Sequence, residues 1–137
     1  MMVIFLIKME RSILKFNRIN LSTRSTMLLG GLKHKTGLTP NILARFAFCL
    51  SIKEQSIPNP DEFNEEGSEL SPNVLFGEHE QIYHTLMVNR LKKDKLDPEL
   101  LLNKMTRAHI NRGVIALHPR IQHLSDFYEL VQEERNV

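Results

Sequence analysis

A chain of 137 residues with 42% hydrophobic and 25% charged side chains reads as one globular domain, which excludes wholesale disorder and leaves little room for a complete multi-domain enzyme. A single cysteine, Cys49, excludes an intrachain disulfide and fits a reducing cytoplasm, and no apolar run approaches the ~20 residues of a membrane span. The net charge of +2 conceals a segregation: residues 1–53 carry nine Lys/Arg and one acid, 54–81 carry eight acids and no Lys/Arg, and 82–137 carry nine Lys/Arg and seven acids.

The opening "MMVIFLIKMERS" is apolar only from Val3 to Ile7, short of the roughly 7–15 residues of a signal-peptide core. Residues 1–15 are therefore expected to form an extension, with Met9 as an alternative start, ahead of a single domain over 16–137. "FNRINLS" (16–22) alternates unevenly and predicts a short strand with one apolar face. Ser22 or Thr23 can cap a helix that ends at Gly37, where a left-handed residue is needed. Within it, Gly30 and Gly31 weaken the helix and suggest a close backbone approach. Thr39 and Pro40 open the next helix, about 40–52. That helix is apolar nearly all round, with only Asn41, Arg45 and Ser51 polar, so in a small chain its burial suggests an oligomer. Cys49, inside "FAFCLSI", reads as a small buried hydrophobe.

Residues 53–71, with two prolines, a glycine and six acids, predict a loop or partly disordered acidic connector. Ser71 and Pro72 restart a helical stretch whose apolar stripe runs through Ile82, Leu86 and Val88–Leu91, widened by Tyr83 and Met87. Asp97 and Pro98 open another helix, expected to stop at Gly113, and Ser125 opens a last amphipathic one. No internal repeat occurs. The expected fold is mainly α: a short N-terminal strand, a ribbon–helix–helix-like helix pair and further helices, in an oligomer.

No metal, cofactor or catalytic site is predicted. His79 and His84 in "HEQIYH" are five apart, about 140° off one another on a helix, and cannot share the face that a zinc-protease motif requires. His118 and His123 share that spacing with Pro119 between them. Neither a phosphate-cradling glycine loop nor a nucleophile elbow is present. The basic first part joined to an acidic stretch points instead to a polyanion-facing surface. Strand, capped helix, K-T-G turn and capped helix make the order of ribbon–helix–helix proteins, whose strand enters the major groove. Lys33, His34 and Lys35 stand just before the helix start at Thr39, where main-chain amides favour a phosphate. Lys92 and Lys93, in "NRLKKDK", complement a helix dipole or meet phosphates. Arg24, Lys33, Lys35, Thr39, Lys92 and Lys93 are the candidate DNA-binding residues, chosen from charge and placement.

The stretch "RINLSTRSTMLLGGLKHKTGLTPNILARFAFCLSI", reinforced by "VLFGEHEQIYHTLMVNRL" and "LLLNKMTRAHINRGVIAL", resembles the DndE family of DNA sulfur modification (phosphorothioation) proteins. The resemblance covers about residues 16 to 117, and Thr36, Gly37, Asn41, Ile42, Leu43, Arg45, Ala47, Cys49, Leu50, Ser51 and Ile52 carry its most specific string. It implies a small helical DNA-binding protein, assembled as a homotetramer. Such a protein works beside other Dnd modification proteins in a restriction-modification-like defence, holds nicked duplex DNA through lysine-rich surfaces and leaves sulfur transfer to its partners. The expectation is a cytoplasmic accessory DNA-binding subunit, with no cofactor and no membrane. The alternative is a ribbon–helix–helix repressor or antitoxin reading bases with Arg18 and Asn20. A weaker one is a nickase using His84 or His109 beside a carboxylate.

Overall fold

The computed structural model describes residues 14–135; most of the expected 1–15 extension, including Met9, lies outside them. In chain order come β1 (Ile19–Asn20), α1 (Thr23–Thr36), α2 (Pro40–Lys53), β2 (Glu69–Leu70), α3 (Pro72–Phe76), α4 (Glu80–Lys93), α5 (Pro98–Leu117) and α6 (Leu124–Arg135). Among the described residues the fold is mainly helical with one two-stranded antiparallel sheet. Single 3-10 turns stand at Pro60–Glu62, Gly77–His79 and His118–Arg120.

The helix starts follow their capping chemistry. Ser22 Oγ accepts the Ser25 amide at 3.0 Å and Asp97 Oδ1 accepts that of Glu99 at 3.0 Å, satisfying donors that the first helical turn leaves without partners. Gly37 ends α1 at φ 73°, its amide bonded to the Lys33 carbonyl at 2.7 Å. At the start of α6 the expectation shifts. Ser125 lies inside the first turn, and Asp126 Oδ2 reaches back to the amides of Gln122 and His123, both at 2.9 Å. These two bonds hold the Asp126 carboxyl below the usual carboxylate range.

The core is built on α5, the longest helix, with α2 packed along it. The buried positions of α2, Leu43, Ala44, Ala47, Phe48 and Ser51, recur at helical spacing and make one face. Those of α5 include Leu102, Met105, Ala108, Ile110, Val114 and Leu117. Gly113 lets the two backbones touch: a Cβ there would lie 1.9 Å from the Ala47 carbonyl oxygen. The expected stop at Gly113 is therefore a crossing point, and α5 runs on to Leu117. Gly30, by contrast, has none of the described residues within 4 Å of an added Cβ, so no described backbone approaches it. A second helix from the same chain thus covers the buried face of α2, which requires no partner subunit. Phe46, on another side, meets Phe127 of α6 with ring centroids 4.8 Å apart. Cys49 is half-buried, and its burial pushes the thiol pKa up.

The predicted strand is two residues long and its partner is intrachain. Ile19 pairs with Leu70 and Asn20 with Glu69, continued by Leu21 N to Ser68 O and Gly67 N to Leu21 O, both 2.8 Å. A ribbon–helix–helix ribbon pairs between subunits; here the end of the acidic connector takes that place. The apolar stripe of the fourth helix is rotated as well. Tyr83, Met87 and Leu91 face inward while Ile82 and Leu86 stand exposed. Gly77, at φ 58°, breaks the stretch between α3 and α4.

Candidate functional site

Lys33 and Lys35 occupy the last turn of α1, ahead of the Gly37 corner. Thr39 is the N-cap of α2 but its side chain makes no capping bond; Pro40 follows as the first helical residue. Arg24 sits in the first turn of α1, eleven residues before Lys35, which places the two on one side of the helix about 16 Å apart along its axis. Lys92 and Lys93 close α4, a different element packed on α5. The six candidates therefore divide between the two ends of α1, the start of α2 and the end of α4. Among the described residues none of the five cations has a carboxylate within ion-pair distance.

Three further arginines, not singled out from sequence, hold the acidic connector. Arg90 donates to the carbonyls of Ile52 (2.6 Å), Gln55 (3.2 Å) and Ser56 (2.8 Å) and pairs with Asp94 at 2.7 Å. Arg112 donates to Ser51 O at 2.7 Å and Ser56 O at 2.8 Å. Arg107 reaches the carbonyls of Pro60, Phe63 and Asn64 at 3.1–3.2 Å. A guanidinium carries five fixed donors and suits a bend of backbone whose carbonyls have no ladder partner. The expected loop is thus a strapped one. A sequence signal was present: Arg107, His109, Asn111 and Arg112 stand among Ala108, Ile110 and Val114 in the buried half of the helix, and most polar groups at core positions have partners.

His109 is fully buried, with Nδ1 2.8 Å from Ser51 Oγ. Arg112 Nε donates to the same Oγ at 2.8 Å, so the serine hydroxyl is left to donate to an unprotonated Nδ1. Burial first, then Arg112 and Arg90, lower the His109 pKa to about 3. Among the described residues no carboxylate pairs with His109, and His84 instead bonds the Leu14 carbonyl. The carboxylate–histidine arrangement considered for a nickase is absent among the described residues. The same residues contain no group of three or more His, Cys, Asp or Glu placed to hold a metal ion, and no helix among them is long and apolar enough to cross a membrane.

Comparison with known proteins decides the family. The family model described as DNA sulphur modification protein DndE matches residues 18–125. The chain belongs to the DndE family. The DndE from Escherichia coli B7A, involved in DNA phosphorothioation modification, has a solved structure 32% identical to this chain, covering 74% of it and 95% of the DndE chain, with a TM-score of 0.60. A double glycine-to-lysine mutant of DndE, involved in DNA phosphorothioation, is 29% identical over 74% of this chain and 96% of its own, with a TM-score of 0.59. No curated protein matches. The DndE match ends at residue 125, so nearly all of α6 lies beyond it.

Proposed function

We propose that this member of the DndE family is an accessory subunit of the DNA phosphorothioation machinery that holds duplex DNA, nicked in preference to intact, mainly through phosphate contacts. It works as a homo-oligomer, a tetramer, in the cytoplasm beside other Dnd proteins, and leaves sulfur transfer to them. Family membership over residues 18–125 carries this reading. The exposed cations Arg24, Lys33, Lys92 and Lys93 support it, because phosphate neutralisation needs cations that internal carboxylates do not already hold. Lys35, half-buried at the same α1 end, joins them, and Thr39 starts α2 beside it. Exposed Met27, Ile82 and Leu86 offer apolar surface for association between copies.

Salt titration of binding to intact and nicked duplexes tests the proposal. With about four phosphates neutralised, affinity falls about 100-fold between 50 and 200 mM salt. Lys33→Glu with Lys35→Glu weakens binding on every sequence alike and lowers the salt slope by about two. A salt-independent affinity, or equal affinity for nicked and intact duplexes, counts against it.

A further inference from the structure

A basic cleft contains none of the six candidate residues. It opens between β1, α5 and the acidic connector, has a volume of about 440 Å³, and is lined by Arg18, Asn20, Asn103, Lys104, Arg107 and Glu65. Three cations face one carboxylate there. Asn103 is occupied, accepting the Asn17 amide at 2.7 Å and donating to the Lys15 carbonyl at 3.0 Å.

Arg107 is the fixed point of the cleft. It is 7% exposed, and its two terminal nitrogens are anchored on the connector carbonyls. Its Nε stands 3.3 Å from Glu65 Oε1 but without hydrogen-bond geometry, and among the described residues this buried N–H has no hydrogen-bond partner. A buried charged donor left in that state is costly, and a water or an anion that reaches it relieves the cost. Glu65, with a side chain 68% exposed, approaches from solvent on a loop, so the pairing is screened and weak. At the rim, Arg18 is held only by an exposed pair with Glu69 at 3.6 Å, and Lys104 has no carboxylate within ion-pair distance among the described residues. One anchored guanidinium, two exposed cations and a loosely seated carboxylate make an anion site whose own chain half-fills it.

We infer that this cleft binds a backbone phosphate of duplex DNA, and that Glu65 holds the place of that phosphate in the unbound protein. The inference rests on the DNA-binding reading above and assigns it a site that the candidate residues did not include. The connector then acts as an internal competitor: DNA displaces the Glu65 carboxylate from Arg107 and the Glu69 carboxylate from Arg18.

The test uses the full chain and a labelled duplex at about 100 mM salt, with Glu65→Gln, Lys104→Glu and, as a control, Glu66→Gln, whose side chain is exposed outside the cleft. Glu65→Gln tightens duplex binding about 3- to 10-fold, and Lys104→Glu weakens it about 10-fold and lowers the salt slope by about one or more. An equal gain from Glu66→Gln reduces the effect to net charge and overturns the site. Unchanged affinity in Glu65→Gln and Lys104→Glu, while Lys33→Glu lowers it, overturns the cleft and leaves the proposed function standing. Titration of inorganic phosphate, followed by amide NMR shifts, separates the two sources of the group. Shifts at Asn20 and Lys104 without any effect of the variants on duplex affinity assign the cleft to free phosphate and overturn the DNA assignment. A chain that binds no duplex fails the proposed function; phosphate shifts at Asn20 and Lys104 then still support an anion cleft, and their absence overturns that too.

Discussion

Ser51 and His109 lie side by side in the core yet act structurally. The Arg112 guanidinium donates to the serine oxygen and repels a proton on the imidazole, so the neutral ring accepts the hydroxyl. His109 is held at about 3 against an ordinary 6.5, which fixes a sign for stability. The unfolded chain takes up a proton as pH falls below 6.5, the native chain refuses it, and stability therefore drops with falling pH through that window. The slope approaches about 1.4 kcal/mol per pH unit. Urea midpoints compared between pH 7 and pH 5 should fall in the wild type and stay flatter in His109→Gln; parallel curves would show that His109 does not carry the effect. The residue types were legible in sequence, but the pairing of Ser51 with His109, 58 positions apart, was not. Only the packing of α2 on α5 brings them together.

At the level of helices, local punctuation reads well from sequence: Ser22, Gly37, Asp97 and the Thr39–Pro40 start all fall where capping chemistry puts them. Glycines inside helices read poorly, because composition gives no clue to what lies opposite. Gly30 and Gly31 suggested a close approach and Gly113 a stop; the approach is at Gly113, against Ala47. The two kinds of position separate under one substitution. Gly113→Ala forces apart the two helices that hold the core and lowers stability by about 1–3 kcal/mol or more. Gly30→Ala, on an open helical surface, raises it by about 0.5–1 kcal/mol. Thermal melts of both variants distinguish the cases, and a lower midpoint for Gly30→Ala would indicate that a second chain packs on that face. Helix α4 gives a similar lesson. Its apolar residues satisfy two stripes, and the helix buries that of Tyr83 and Met87 rather than that of Ile82 and Leu86.

Across the whole molecule, the charge segregation seen in sequence has two uses. Part of it is internal, since Arg90 and Arg112 are committed to backbone carbonyls at the end of α2 and in the connector, and Arg90 also to Asp94, while Arg107 holds the connector with its terminal nitrogens and keeps its Nε toward the cleft. The remainder stays on the surface as the basic ends of α1 and α4. A count of charges along the chain cannot tell these apart, because guanidiniums that hold carbonyls look the same in sequence as those left to meet phosphate. The family, in contrast, was legible, because a string such as "TGLTPNILARFAFCLSI" joins a helix corner to a buried helix face in one continuous stretch. The β1–β2 clasp has a consequence for how the chain reaches this state. Ile19 and Leu70 close a loop of roughly fifty residues holding α1 and α2, an entropic cost of about 3.5 kcal/mol by loop-length scaling. Contacts so distant in sequence are expected to form after the local helices have docked. Ile19→Ala should therefore cost about 2–4 kcal/mol and appear in stopped-flow kinetics as faster unfolding at a nearly unchanged folding rate. A slowed folding rate would instead make the clasp part of the nucleus, and the connector an early rather than a late strap.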